Sequence, residues 1–278
     1  MRWESQMVSA SGRRDSVIRR ILDLTLQMAS REIAARYRGS WAGLGWVVLA
    51  PLFLLAIYTF VFAVIFRARW PELASGNGSA SEFALIVFSG MVLHGLLADC
   101  LVRAPTLVVS NANFVKKSVF PLEVLAGVQL LAALFMLVPT FAILVVFQLF
   151  VFGLPPATIV LYPLILLPLS LFALGSMWMV SAVAVYFRDV AQLMGLLVTA
   201  LFFLSPVLYP TSLVPGALQQ LLFVNPLTYA IETSRGMLFW GDLPAIGSYL
   251  AYLAGSLAFA VIGFRAFRML KDGFADAL

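Results

Sequence analysis

Few residues in this sequence could do chemistry, and most stand alone in apolar surroundings. Asp99 and Arg103 are four apart, and His94 lies about one and a half turns earlier. That spacing leaves two readings open. In one, the three form a proton relay or contact a substrate, because ionisable groups inside a membrane are costly and mark function. In the other, Asp99 and Arg103 neutralise each other on one helix face, and Arg103 extends to the lipid headgroups. Glu232 and Arg235, three apart, pose the same choice between a functional site and a self-paired surface couple. Cys100 and His94 are the sole residues of their types, so one chain can assemble neither a disulfide framework nor a Cys/His metal site. Asp99 lacks an obvious acidic partner with which to share acid/base work on one bond. No G-x-x-x-x-G-K-[ST] loop is present to cradle nucleotide phosphates, so any use of ATP and Mg falls to another polypeptide. The chain is therefore expected to be no enzyme by itself and to bind no cofactor or metal.

These residues must be positioned by membrane-embedded helices. Hydrophobic residues make up 62% of the 278 and charged ones 11%, whereas a soluble domain has roughly 45–50% and 25%. No charge occurs between Glu123 and Arg188, or between Asp189 and Glu232, and about 20 such residues suffice to cross a bilayer. The formal charge of +5 gathers in the N-terminal segment and the tail, which is a topology signal and no sign of nucleic acid.

The spacing predicts an all-α membrane protein with six spans and both ends in the cytoplasm. Residues 1–40 hold eight arginines, with Val17, Ile21, Leu24 and Met28 at helical spacing, which predicts an amphipathic interfacial helix. No removable signal peptide is evident. A six-helix domain is expected over 41–270 and a short cytoplasmic tail over 271–278. The first span is read from Trp41 to Phe66 and the second from Phe83 to Val109, bent or ended near Pro105. A doubly basic loop, 110–123, separates the second and third spans, and the fifth runs from Val190 to Tyr209. Over 210–245, prolines and glycines break an apolar stretch. Two half-buried helices, Val214–Val224 and Leu227–Trp240, fit it better than a seventh span, which would bury Glu232 and Arg235 in hydrocarbon and put Arg265, Arg268 and Lys271 outside. The sixth span is read from Ile246 to Phe264. Tyr58, Phe60, Phe62, Phe202, Phe203 and Tyr209 lie on the first and fifth spans or at their ends. They either face lipid and core or line a passage along which sugar rings slide over flat aromatic faces.

Three strings carry a resemblance: REIAARYRGSWAGLGWVVLAPL before and into the first span, NANFVKKSVFPLEVL in the first cytoplasmic loop, and SPVLYP with NPLTYAIETSRGML late in the chain. Together they resemble the permease subunits of type-2 ABC exporters for lipid-linked polysaccharides: O-antigen, capsule and teichoic acid. The resemblance covers nearly the whole chain. It implies a bacterial inner-membrane homodimer with two separate ATPase subunits, moving an undecaprenyl-linked glycan to the periplasm through a channel at the dimer centre. It further implies a coupling helix in the loop, carried by Asn113, Phe114, Lys116, Lys117, Phe120 and Pro121. Arg31, Glu32, Arg36, Tyr37, Arg38, Gly39 and Ser40 would form the interfacial helix and flank the way into the passage, and the bare residues also suit lipid-headgroup binding. The helices after Tyr209 would be periplasmic re-entrant gate helices, with Glu232 and Arg235 at their margin. Trp41 departs from the family's usual Leu, a mild change at a headgroup boundary. The alternatives are an exporter of drugs or small lipids with the same architecture, an ion-coupled secondary transporter using Asp99, Arg103 and His94, and a membrane-embedded enzyme.

Overall fold

The computed structural model describes residues 22–36, 43–65, 70, 80–115 and 120–278, the side chains of 44, 62–64, 80, 217, 221 and 223 excepted. Among the sequence-derived site residues, Tyr37, Arg38, Gly39, Ser40, Lys116 and Lys117 lie outside the described residues, as does the side chain of Phe62.

The described residues form helices and turns, without a strand. Helix α1 covers 22–36 and turns Leu24, Met28, Glu32 and Arg36, spaced by four, toward the protein, while Leu22 and Leu26 stay exposed. Helix α2, Trp46–Tyr58, continues into a π-helical stretch, Thr59–Ile65. Helix α3, Ala80–Arg103, stops at the Ala104–Pro105 turn and is followed by the short helices α4, Thr106–Val109, and α5, Ala112–Val115. The long helices α6, Val124–Val151, and α7, Tyr162–Tyr186, make a hairpin in which Gly153 takes a positive φ of 88°, a conformation glycine adopts without Cβ strain. Helix α8, Val190–Leu204, leads to α9, Gly216–Val224, and α10, Pro226–Arg235, the latter continued by a π turn, Gly236–Trp240. Helix α11, Ile246–Lys271, and a terminal turn of helix, α12, Phe274–Ala277, complete the chain.

Four of these helices are long and apolar enough to cross a membrane: α3, α6, α7 (with the 3-10 turn before it) and α11. Helices α2 and α8 are apolar but shorter. In α3, 67% of the most apolar stretch is buried, against 28% in α6 and α7 and 22% in α11, so α3 is the central rod and the others present apolar faces outward. Helix α8 has no buried residue.

Helices α7 and α11 run parallel. Phe172 stacks on Phe259 at 4.5 Å, Trp178 meets Phe264 at 5.0 Å, and Tyr186 donates to the Leu270 carbonyl at 2.9 Å. Small residues make their approach possible: a Cβ on Gly175 would lie 2.9 Å from Ala260 Cα, and one on Gly263 would run into the Gly175 carbonyl. Packing of this kind is how helices associate where lipid is the solvent.

Candidate functional site

Polar groups collect at the two ends of α3. At its C-terminal end, Asp99 accepts from Arg103 Nε at 2.8 Å, from Arg36 Nη1 at 3.0 Å and from Gln129 Nε2 at 3.1 Å. Arg36 Nη2 also donates to Gln129 Oε1 at 3.1 Å. Glu32 Oε1 stands 3.8 Å from Arg36 Nε and 3.9 Å from Arg103 Nη1. Two guanidiniums and two carboxylates thus cancel in formal charge, and their network joins α1, α3 and α6. Arg36 is its most enclosed charged member, with 9% of its side chain exposed. Such neutral, mutually bonded sets are what allow ionised groups to persist away from water.

The sequence placed Asp99 and Arg103 on one helix face, and the structure does the same. It adds Arg36, from α1, and Gln129, which sequence reasoning missed. The one available signal for Gln129 was a lone amide in the apolar run VLAGVQLLAAL. His94 is apart from the network: its Nε2 lies 3.2 Å from the Val198 carbonyl, and its ring meets the Phe202 edge at 5.2 Å. A cavity of about 640 Å3 between α2, α3 and α6 is lined by His94, Asp99, Arg36 and Arg103 and by apolar side chains such as Leu54, Phe88 and Leu137.

Beside this network, α1 and the loop after α3 face each other across a cavity of about 630 Å3, lined by Met28, Arg31, Glu32, Asn111, Phe114 and Phe120 among others. Two sets of residues that the sequence held apart are therefore neighbours. Phe114 stacks on Phe120 with centroids 4.4 Å apart and planes at 16°, and both rest on a cluster containing Val108, Leu122, Leu125 and Phe267. Phe114 is half-buried in its own chain, whereas Asn113 is exposed and Pro121 half-buried. Arg31 is exposed on α1. Lys271 clamps Glu123 at 3.1 and 3.3 Å, and Trp178 donates to the Glu123 carbonyl at 3.0 Å, which ties the loop's end to α7 and α11.

At the opposite end of α3 stands Arg235. Glu232 is its ion-pair partner at 3.2 Å, but the surface-couple reading needs correction, because Arg235 is 1% exposed. Its Nη1 donates to the Pro206 carbonyl at 2.6 Å, its Nη2 to Val207 at 2.8 Å and its Nε to Ile86 at 3.3 Å, and its guanidinium sits 4.7 Å from the Trp70 ring centre. One side chain joins α10 to α3 and to the segment after α8. Asn225 acts alongside: its Oδ1 caps the first turn of α10 through Leu227 N–H at 2.9 Å, and its Nδ2 donates to Ser205 at 2.8 Å. Gln148, buried in α6, donates to the Leu238 carbonyl of the π turn. Trp70 and Gln148 were not foreseen.

Of the aromatic set, Phe60 and Phe203 are strongly exposed at 57% and 61%. Phe202 is half-buried against His94 and Phe203, Tyr209 bonds the Phe203 carbonyl at 3.0 Å, and Tyr58 is half-buried. Phe53 on α2, Phe60 in the π stretch after it, and Leu193, Leu196 and Phe203 on α8 form exposed apolar faces.

Comparison with known proteins gives a consistent result. Residues 23–239 match the family described as ABC-2 type transporter. Two proteins of Klebsiella pneumoniae, each named O-antigen export system permease protein RfbA, are 26% and 25% identical to this chain over 260 residues, covering 93% of it and 96% of each relative. A protein of the same name from Myxococcus xanthus is 24% identical over 257 residues, 92% of this chain and 95% of that relative.

Proposed function

This chain belongs to the ABC-2 type transporter family, and we propose that within it the chain is the membrane permease of an ATP-driven exporter of lipid-linked, O-antigen-like polysaccharide. The observation that carries this reading is the end-to-end similarity to three O-antigen export permeases, over 92–93% of the chain.

Six spans give the architecture. The parallel run of α7 and α11 supports this count, because the chain between them must return once across the membrane. Helix α8, 15 residues long, rises about 22 Å and makes most of that return. Helices α9 and α10 then remain at one face as the periplasmic gate elements, stapled by Arg235. A seventh crossing would make α7 and α11 antiparallel.

Two copies form the transporter, and the exposed aromatic faces of α2 and α8 meet around the passage. At the cytoplasmic end, α1 and the loop carrying Asn113, Phe114, Lys116, Lys117, Phe120 and Pro121 receive the ATPase subunit, which supplies ATP hydrolysis and Mg. The loop rests on α7 and α11 through Phe114, Phe120 and the Glu123–Lys271 pair, so a push on the loop is delivered to the spans. The chain works in the bacterial inner membrane with both termini in the cytoplasm. An ion-coupled mechanism is less well supported, because Asp99 is engaged by three donors and His94 is bonded elsewhere.

Deleting the gene in its own host tests the proposal. Export loss leaves surface polysaccharide depleted and the undecaprenyl-linked glycan accumulated inside, with both restored by the wild-type chain. Unchanged surface polysaccharide, together with altered drug or lipid efflux, would contradict it.

A further inference from the structure

A groove of about 730 Å3 runs along the outer side of the α7–α11 pair, where the tight contact at Gly175 and Gly263 leaves a furrow between the helices. Its walls are apolar, from Leu171 and Leu174 on one side and Leu257 and Val261 on the other. Its end carries Trp178, Phe264, Arg265 and Arg268. Both arginines are exposed, and among the described residues neither has a carboxylate within ion-pair reach. Lys271, one turn on, is already engaged by Glu123 at 3.1 Å. The Arg268 guanidinium lies 5.8 Å from the Phe264 ring centre, which holds it at the mouth of the groove. The distinctive feature is an unsatisfied double positive charge closing one end of an apolar channel.

From Leu257 to Arg268 the groove follows α11 for about 16 Å, close to half of the roughly 30 Å hydrocarbon thickness of a bilayer. Trp178, whose indole N–H is anchored on the Glu123 carbonyl at 3.0 Å, sits at the same end as the arginines, the depth at which such rings prefer to lie. One leaflet's acyl chain fits the length, and a phosphodiester fits the charge.

We propose that the α7–α11 groove is a binding site for an anionic glycerophospholipid of the bilayer, with an acyl chain against Leu257 and Val261 and the phosphate on Arg265 and Arg268. Basic pockets between transmembrane helices recognise acidic headgroups in this way. A single-leaflet groove does not suit the much longer isoprenoid chain of an export substrate. A bound phospholipid wedges α7 and α11 from outside and so stiffens the pair on which the loop rests. The inference depends on membrane embedding and not on the identity of the cargo.

The test uses the full permease in phosphatidylcholine nanodiscs, photolabelled with a trace of phosphatidylglycerol bearing a photoreactive acyl chain, with labelled peptides mapped by mass spectrometry. Label should appear in the α7 and α11 segments lining the groove, and unlabelled phosphatidylglycerol should displace it while added phosphatidylcholine does not. The double change Arg265→Gln with Arg268→Gln should lower groove labelling about tenfold, and Val261→Trp, which fills the furrow, should lower it too. Equal displacement by phosphatidylcholine, stronger displacement by undecaprenyl phosphate, unchanged labelling in the folded double variant, or cross-links between two copies through this face would each overturn the proposal. If the variants do not fold, the displacement order in the parent chain decides. Export is not the readout, so failure of the transport proposal leaves this test intact.

Discussion

A guanidinium is tolerated inside a membrane protein where its donors find acceptors, and Arg235 has Pro206, Val207, Ile86 and Glu232 around it. Lysine keeps the charge but presents a point donor in place of a planar fork. Arg235→Lys should therefore leave buried carbonyls without a donor and cost about 1–3 kcal/mol, seen as a lower thermal unfolding midpoint of the purified permease. A midpoint equal to the parent's would mean that the staple is dispensable. At the other end of α3, the network makes a different prediction, because its charges can be removed in pairs. Asp99→Asn with Arg36→Gln leaves Arg103 beside Glu32, 3.9 Å apart, so the double variant should fold and export close to the parent. Asp99→Asn alone leaves two arginines with one carboxylate and should be the more damaging change. Export abolished in a well-folded double variant would assign the network to a relay. Sequence spacing exposed the Asp99–Arg103 and Glu232–Arg235 pairs, since partners three or four apart share a helix face. It could not expose Arg36 with Asp99, 63 positions apart, or the burial of Arg235, because both depend on which helices meet.

The helices themselves were legible to within a few residues where apolar runs were bounded by prolines, glycines or charges. The second span was expected to be bent or ended near Pro105, and α3 ends at Arg103 with the turn at Ala104–Pro105. The breaks around Pro215 and Pro226 were read as two short helices, and α9 and α10 occupy those places. Helix α11 extends seven residues past the expected Phe264 because its charged end is itself helical, with Lys271 held by Glu123. Phe114, expected on the coupling helix, is stacked on Phe120 and half-buried. Phe114→Ala and Phe120→Ala should therefore weaken ATPase co-purification to similar degrees, by about 1–3 kcal/mol, because either change collapses the shared platform. A normal ATPase yield with both variants would remove the coupling role from this loop. Between α7 and α11, Gly263→Ala should be severe, since its Cβ meets backbone that cannot rotate away. Overpacking of this kind costs about 1–3 kcal/mol or more, read as a lower unfolding midpoint, and a parent-like midpoint would mean that the pair is looser than its contacts indicate.

At the scale of the whole molecule, the chain leaves much apolar surface on α2, α6, α8 and α11 open to lipid or to a second copy, so composition identified the solvent but not the assembly. Topology can be checked without the partner. Reporter fusions after Gly76 and Gly216 should read periplasmic and those after Asn111 and Lys271 cytoplasmic, because the basic residues concentrate on the latter side. A periplasmic reading after Lys271 would break the six-span account. The most direct measurement places the permease, its ATPase subunit and an undecaprenyl-linked glycan in proteoliposomes and follows which side of the membrane the sugar occupies, by its susceptibility to an added glycosidase. Movement should require ATP and both proteins. Movement by the permease without the ATPase, or no movement when both fold, assemble and hydrolyse ATP, would contradict it.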